Sequence, residues 1–194
     1  MSIAGLVLAA GGSSRFGSPK QLAEFGSQPM LSAAIAALQG AREVESIAVT
    51  LGADEANIRD TIDLSGVEVV EVPDWREGMA ASLRRGVARL ASEPEVDAIV
   101  VVLSDQPLIS SADVESVIAA WDGEAPAVRA SHQGMPRHPV LLARELFEAV
   151  AELDGDAGAR DLVGTKRTVI VERGALAMAD VDTPEDLARL RRDS

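Results

Sequence analysis

The chain has no cysteine, which excludes disulfides, thiolate metal sites and cysteine nucleophiles. Aromatic residues make up only 3% of its 194 positions. The core must therefore be built from Ala, Val, Leu and Ile, a palette that suits a buried parallel sheet flanked by helices. Basic residues are also scarce: eighteen Lys and Arg stand against thirty-one Asp and Glu, a formal charge of −13. A surface of that sign has no attraction for a nucleic-acid backbone or an anionic membrane, so neither is an expected partner. The apolar run near the N-terminus is too short to span a bilayer. It has no basic flank and no cleavage-like site, so no export signal is read and a cytoplasmic location is expected. There is no internal repeat, no low-complexity tract and no Gly/Pro/Ser-rich linker, so residues 1–194 are expected to form a single domain.

Against that background one stretch stands out, Leu6 to Lys20. It begins as an apolar run that reads as a buried strand. It then becomes a loop carrying Gly11, Gly12, Ser13, Ser14, Arg15, Gly17 and Lys20. Glycines let a backbone approach a ligand closely, so that its N–H groups can face an anion. Arg15 and Lys20 are fixed cations on the same loop. The chain contains only two lysines, Lys20 and Lys166, so a lysine at this place carries weight. Gly12 and Gly17 have the spacing of a Walker A loop, but Ser18 and Pro19 follow where Lys and Ser/Thr are required. The dinucleotide pattern fails too, because no two glycines of the loop are separated by one residue. An ordinary strand-to-helix connector with a surface Arg and Lys is the alternative.

Strand and helix patterns alternate along the whole chain, the mark of βαβ units and a mostly parallel sheet. Helices are expected at Met30–Gln39, Asn57–Ile62 (exposed), Met79–Leu90, Val114–Ala120, Leu146–Leu153 and Glu185–Arg191. Strands are expected at Ser46–Leu51, Val67–Val72, Ala98–Leu103, Ala127–Ala130, Pro139–Leu142, Thr168–Val171 and Ala177–Val181. Ala98–Leu103 is the most apolar strand and should be central, and Gln133-Gly134 should turn the chain between its two flanking strands.

In open α/β sheets ligands sit beyond the carboxyl ends of the strands. At the end of the central strand the chain reads Leu103-Ser104-Asp105-Gln106-Pro107. A carboxylate there is a good ligand for a hard cation such as Mg²⁺, which takes one or two protein carboxylates and completes its shell with phosphate and water; the alternative is a turn aspartate bonding its own loop. Gly78 and Ser82 open the helix at Met79, where Met79, Leu83 and Val87 have core spacing, and Arg84 and Arg85 read as a solvated face. Gly155-Asp156-Ala157-Gly158-Ala159-Arg160 precedes a short helical turn, with Asp156 a possible N-cap and Arg160 suited to phosphate. At Asp182-Thr183-Pro184, Thr183 serves as N-cap and Pro184 as the first helical residue, which leaves Asp182 free for other work. His138, between Arg137 and Pro139, has no paired nucleophile and acid, so a hydrolase triad is unsupported.

These residues carry a family resemblance. Leu8-Ala9-Ala10-Gly11-x-x-x-Arg15-Phe16-Gly17-x-x-Lys20 resembles the signature loop of the molybdenum cofactor guanylyl- and cytidylyltransferases, and its Ala-Ala-Gly form is similar to the cytidylyl branch. Phe16 stands where many members have Met. Ser104–Pro107, Gly78-x-x-x-Ser82-Leu83, Gly134-x-x-x-His138-Pro139-Val140, Gly155–Arg160 and Asp180-x-Asp182-Thr183-Pro184 resemble further segments of the family, almost to the C-terminus. The fold this implies is a Rossmann-like three-layer α/β/α sandwich of the nucleotide-diphospho-sugar transferase type. Its nucleotide-binding half would cover about 1–110 and its acceptor-binding half about 111–194.

The resemblance implies a nucleotidyltransferase that moves CMP from CTP to the molybdopterin molybdenum cofactor and releases pyrophosphate. Leu8, Ala9, Ala10, Gly11, Gly12, Arg15, Lys20, Gly78 and Ser82 would bind nucleotide, with Arg15, Lys20 and Asp105 catalytic. Asp105 and Asp182 would hold Mg²⁺ or Mn²⁺, and His138, Gly155, Asp156 and Arg160 would meet the acceptor. Transient contact with a molybdenum hydroxylase or its maturation chaperone would follow. The alternatives are another phosphorylated acceptor, such as a sugar or polyol phosphate, and a non-catalytic nucleotide-binding chaperone.

Overall fold

The structure is a computed structural model that describes residues 1–163, 167–174 and 179–193, without the side chains of residues 160 and 161. Strand β1 (Ser2–Leu8) is followed by a short hairpin, β2 (Glu24–Phe25) and β3 (Gln28–Pro29), and by α1 (Met30–Gln39). Next come β4 (Val44–Leu51), α2 (Glu55–Thr61), β5 (Glu68–Glu71), α3 (Met79–Ala91) and β6 (Val96–Leu103). The second half holds α4 (Ser111–Ala119), β7 (Ala127–His132), β8 (Met135–Ala143), α5 (Phe147–Ala151), α6 (Ala159–Val163), β9 (Thr168–Glu172) and α7 (Pro184–Asp193).

Seven strands form one sheet in the order β5-β4-β1-β6-β8-β7-β9. All neighbours run parallel except β8, which is antiparallel to both β6 and β7. Both faces of β1 are buried. Ile3 and Val7 point to a layer made by Leu31, Ile35 and Leu38 of α1, Ile58 of α2 and Val114, Val117 and Ile118 of α4. Ala4, Leu6 and Leu8 point to the opposite layer of Leu83, Val87 and Leu90 of α3, Phe147 and Val150 of α5, and Ala159 and Val163 of α6. Two apolar faces explain why the central strands read as unbroken hydrophobic runs. This is the expected three-layer α/β/α sandwich, with Val96–Leu103 in the middle of its sheet.

The departures have local causes. Strands β7 and β8 extend well beyond Ala127–Ala130 and Pro139–Leu142, because Gln133 and Gly134 both take positive φ, at 50° and 76°, and close a two-residue hairpin turn. The residues this adds to the ladder, from the buried Ser131 and His138 to the exposed Met135, give no alternating pattern. The expected exposed helix at Asn57–Ile62 begins earlier and buries Ile58 completely. Leu146–Leu153 is a 3-10 turn, Arg144–Leu146, running into α5. Of the strand expected at Ala177–Val181, residues 177 and 178 lie outside the described residues, and Ala179–Val181 is not a strand. Val181 is instead fully buried, and its N–H donates to the Asp105 carbonyl at 2.9 Å. Arg84 is not simply solvated: it pairs with Glu77 and donates to the Leu153 carbonyl at 2.5 Å.

From β1 the chain moves outward to β4 and β5, then returns to the other side of β1 as β6. The reversal opens a crevice at the carboxyl ends of β1 and β6. The glycine loop leaves one of those ends and Asp105 the other. The C-terminal segment covers a third side, where Val181, Leu187 and Leu190 pack on Met30, Phe16 and Phe25.

Candidate active site

A cavity of about 570 Å³ occupies the crevice, within the range of small-ligand sites. Leu8, Ala9, Ala10, Gly11, Gly12, Ser13, Ser14 and Arg15 form one wall, with Lys20 and Gln21 behind them; Gly78, Met79 and Ser82 line the start of α3, and Leu103, Ser104 and Asp105 the end of β6. Asp156 and Asp182 come in from the second half of the chain. Residues spread over most of the sequence thus converge on one space.

At its floor four charges meet. The Lys20 ammonium donates to Asp105 Oδ2 at 2.7 Å and to Asp182 Oδ1 at 3.1 Å, and the exposed Arg15 guanidinium lies 3.1 Å from Asp182 Oδ2. Lys20 and Asp105 keep only 15% and 19% of their side-chain surface, against 35% for Asp182. Burial works against the Lys20 charge, but Asp105 and then Asp182 outweigh it and hold its pKa above the ordinary 10.5. Burial pushes the Asp105 carboxyl up, against the pull of Lys20, and the nearby carboxylates of Asp180 and Asp182 push it the same way. The two shifts favour opposite forms of the pair; the short direct contact decides for a charged pair, with Asp105 its strained member.

Asp105 Oδ1 is buried and has no hydrogen-bond partner among the described residues. An orphaned carboxylate oxygen beside a second carboxylate is a fitting donor set for a hard divalent cation, and two are enough when phosphate and water complete the shell. Among the described residues no group of three or more metal-ligating side chains forms a closed cage.

Local sequence explains why these groups are available. Thr183 caps α7: its hydroxyl accepts from Asp186 N–H at 3.1 Å, while Asp186 Oδ2 accepts from Thr183 N–H at 3.0 Å. Asp186 does the reciprocal capping, and the Asp182 carboxylate is left to face Lys20. Gly78 has φ 106° and ψ −170°, a region for glycine alone. A Cβ there would lie 2.3 Å from the Gly155 carbonyl oxygen, which instead accepts from Ala80 N–H at 3.0 Å. The Gly155–Asp156 turn is thereby docked on the first turn of α3.

Gly155 supports the cavity from behind, whereas His138 is 2% exposed within β8 and is not among the lining residues. Arg160 begins α6 next to Ala159, but its side chain lies outside the described residues, as does all of Lys166. Among the lining residues without an expected role, Ser13, Gln21 and Trp75 shape the wall. Gln21 and Ser13 bind the glycine loop to itself. Trp75 packs on Gly12, where a Cβ would meet its ring at 2.6 Å, and carries the Arg76 guanidinium 4.2 Å above its ring centroid. A tryptophan three residues before Gly78, in a chain with only two, was the available signal for it.

Comparison with known proteins places this arrangement. Residues 5–170 match the MobA-like NTP transferase domain, and the chain belongs to that family. The purine catabolism protein PucB of Bacillus subtilis is 32% identical over 123 residues, 61% of this chain and 58% of PucB, so the match spans less than two thirds of that relative. Rv0371c of Mycobacterium tuberculosis H37Rv superposes with a TM-score of 0.88 at 33% identity over 98% of both chains. Its manganese complex superposes at 0.84 and 30% identity over the whole of both. A nucleotidyl transferase of Methanothermobacter, Mth528, shares the fold at 0.84 and 22% identity over 98% of this chain and 96% of its own. The chain is a nucleotidyltransferase, and no helix among its described residues is long and apolar enough to cross a membrane.

Proposed function

We propose that this member of the MobA-like family transfers CMP from CTP to the terminal phosphate of a molybdopterin-type cofactor, with release of pyrophosphate. The observation that carries the reading is the convergence of Lys20, Asp105 and Asp182 beneath a glycine loop. The cytidylyl choice rests on the Ala9-Ala10-Gly11 form of that loop and on Gly78 and Ser82 at the base end of the cavity. The acceptor rests on the Gly155–Arg160 segment, whose Asp156 reaches the cavity.

In this reading the triphosphate lies along Gly11–Arg15. Its entry offers Lys20 and Arg15 a polyanion in place of the carboxylates they now hold. Both cations turn to phosphate oxygens, where they neutralise charge as it moves toward the departing pyrophosphate. Asp105 and Asp182, released from them, would hold a divalent cation, Mg²⁺ or Mn²⁺, which supplies charge neutralisation to the triphosphate. Asp156 and Arg160 orient the acceptor so that its phosphate oxygen attacks the α-phosphorus in line. The new P–O bond forms as the α–β bridging P–O bond breaks, and the electron pair leaves with pyrophosphate. An ionised acceptor phosphate brings no proton to remove, so no general base is required. Catalysis is then positioning and electrostatics. We assign the nucleotide to about 1–110 and the acceptor to about 111–194, on one domain.

The test is pyrophosphate release by purified protein with Mg²⁺ and molybdenum-loaded molybdopterin, with CTP, GTP, ATP and UTP in parallel and product mass by mass spectrometry. The reading predicts release with CTP and a cytosine dinucleotide product. Release with another triphosphate overturns the base assignment; release only with a sugar or polyol phosphate overturns the acceptor. CTP binding without turnover on any acceptor favours a nucleotide-binding chaperone instead.

A further inference from the structure

The glycine loop is held in shape by a side chain that no motif marks. Gln21 is 1% exposed. Its Nε2 donates to the Ala9 carbonyl at 2.8 Å and to the Gly11 carbonyl at 2.9 Å, and its Oε1 accepts from the Ser13 hydroxyl at 3.2 Å. The Ser13 oxygen in turn accepts from Lys20 N–H at 3.1 Å. This chain of bonds fixes the amide orientation, since the reversed amide would set its oxygen against two carbonyl oxygens. Ser13 has φ 51°, unusual for a residue with a side chain. It keeps that conformation with its hydroxyl on Gln21 and its carbonyl accepting from Phe16 and Gly17 N–H.

The consequence follows from peptide geometry. In a trans peptide the C=O of one residue and the N–H of the next point in opposite directions. With the Ala9 and Gly11 carbonyls drawn onto Gln21, the Ala10 and Gly12 N–H groups are turned away from it. Neither donates to any group among the described residues, and both residues line the cavity. Ala10 is only 2% exposed, and a buried N–H without a partner is rare unless a ligand supplies one.

We propose that Gln21 is a positioning residue: by gripping alternate carbonyls of the loop it aims the Ala10 and Gly12 N–H groups at oxygen acceptors of the bound nucleotide. The proposal rests on the reading of this loop as the triphosphate site. Glycine makes the loop possible, and Gln21 selects which of its conformations the nucleotide meets.

The variant to make is Gln21→Met, which keeps the length and apolar bulk of the side chain but has no amide. The Ala9 and Gly11 carbonyls are then free to turn, and the donors lose their aim. Two hydrogen bonds to a charged ligand are at stake, so KM for the triphosphate rises by about tenfold or more, while KM for the acceptor is unchanged. CTP binding by calorimetry weakens in parallel. A merely structural role would lower the melting temperature and the active fraction but leave KM for the triphosphate as in wild type. Ser13→Ala, a milder change at the loop surface, removes the hydroxyl that anchors Gln21 and shifts the same KM in the same direction, so the proposal stays testable even where Gln21→Met does not fold. Unchanged KM for the triphosphate in the folded variants overturns the role of Gln21 alone. Failure of the wild type to bind CTP, GTP, ATP or UTP overturns the triphosphate site and this role together.

Discussion

Replacing Lys20 with Met removes the one ammonium that binds both Asp105 and Asp182, and the structure sets what this should cost. Losing one partner of a fully buried charge pair costs about 3–5 kcal/mol, whereas an exposed pair is worth about 0–1 kcal/mol. Asp105 is 19% exposed and lies near the buried limit; Asp182 is 35% exposed and keeps Arg15 at 3.1 Å. Lys20→Met should therefore lose about 2–3 kcal/mol at neutral pH, a fall in melting temperature of about 4–12 °C for a domain of this size. The pH dependence has a definite sign. In wild type the Lys20 pKa lies above 10.5, so its contribution is complete at lower pH and is lost only as pH rises through that raised value. In the variant, burial, Asp180 and Asp182 still push the Asp105 carboxyl up, with Lys20 no longer opposing them. Folded Asp105 then takes up a proton at higher pH than an unfolded aspartate, near 3.8, and that uptake stabilises the variant. The deficit should shrink as pH falls. Thermal unfolding followed by circular dichroism at pH 8 and pH 5 measures it. A deficit below about 0.5 kcal/mol at pH 8, the range of an ordinary surface change, or one that grows toward pH 5, refutes the reasoning.

Other expectations follow from the same contacts. Gly78→Ala forces a Cβ to within 2.3 Å of a backbone oxygen at φ 106°; it should cost about 2–4 kcal/mol in urea unfolding and raise KM for the acceptor, and a neutral result would contradict the docking of the Gly155 turn. Asp105→Asn should lower kcat by about 10²–10³-fold and abolish Mn²⁺ binding seen by electron paramagnetic resonance, whereas Asp182→Asn, more exposed, should cost less in both; the reverse order would misplace the principal ligand. Thr183→Ala should cost about 1 kcal/mol as a lost cap. The Thr183 hydroxyl first, then the N–H groups of Asp182 and Thr183, hold the Asp186 carboxyl below 3.8 against slight burial. Its contribution is thus present above that pH and fades as pH falls through the lower folded value, and a Thr183→Ala deficit that persists undiminished at pH 2 would argue against it.

Much of the site could be read from the chain because its parts sit at boundaries that have sequence signatures. An apolar run breaking into glycines marks the end of β1, a carboxylate one serine beyond an apolar run marks the end of β6, and Thr183-Pro184 reveals a cap that leaves Asp182 without a capping duty. What could not be read depends on depth and direction. Gln21 is one polar residue after Lys20, and nothing local says that the 3-10 turn at Lys20–Leu22 drives it under the loop. The ion pairs of Lys20 join residues 85 and 162 positions apart, a proximity that only the topological switch between β1 and β6 and the packing of α7 create. Trp75 belonged to a segment whose glycine and serine drew the chemistry, yet its ring is what closes the cavity against Gly12. His138 shows the opposite case: a motif position with an evident chemical group, held in a strand interior away from the cavity wall.

The measurement closest to the central claim is a crystal structure with CTP and Mn²⁺, with the metal located by its anomalous scattering. The account predicts the triphosphate along Gly11–Arg15, Lys20 on phosphate oxygens rather than on carboxylates, and the anomalous peak on Asp105 Oδ1. A peak elsewhere, or a triphosphate bound while Lys20 still bridges Asp105 and Asp182, would contradict it.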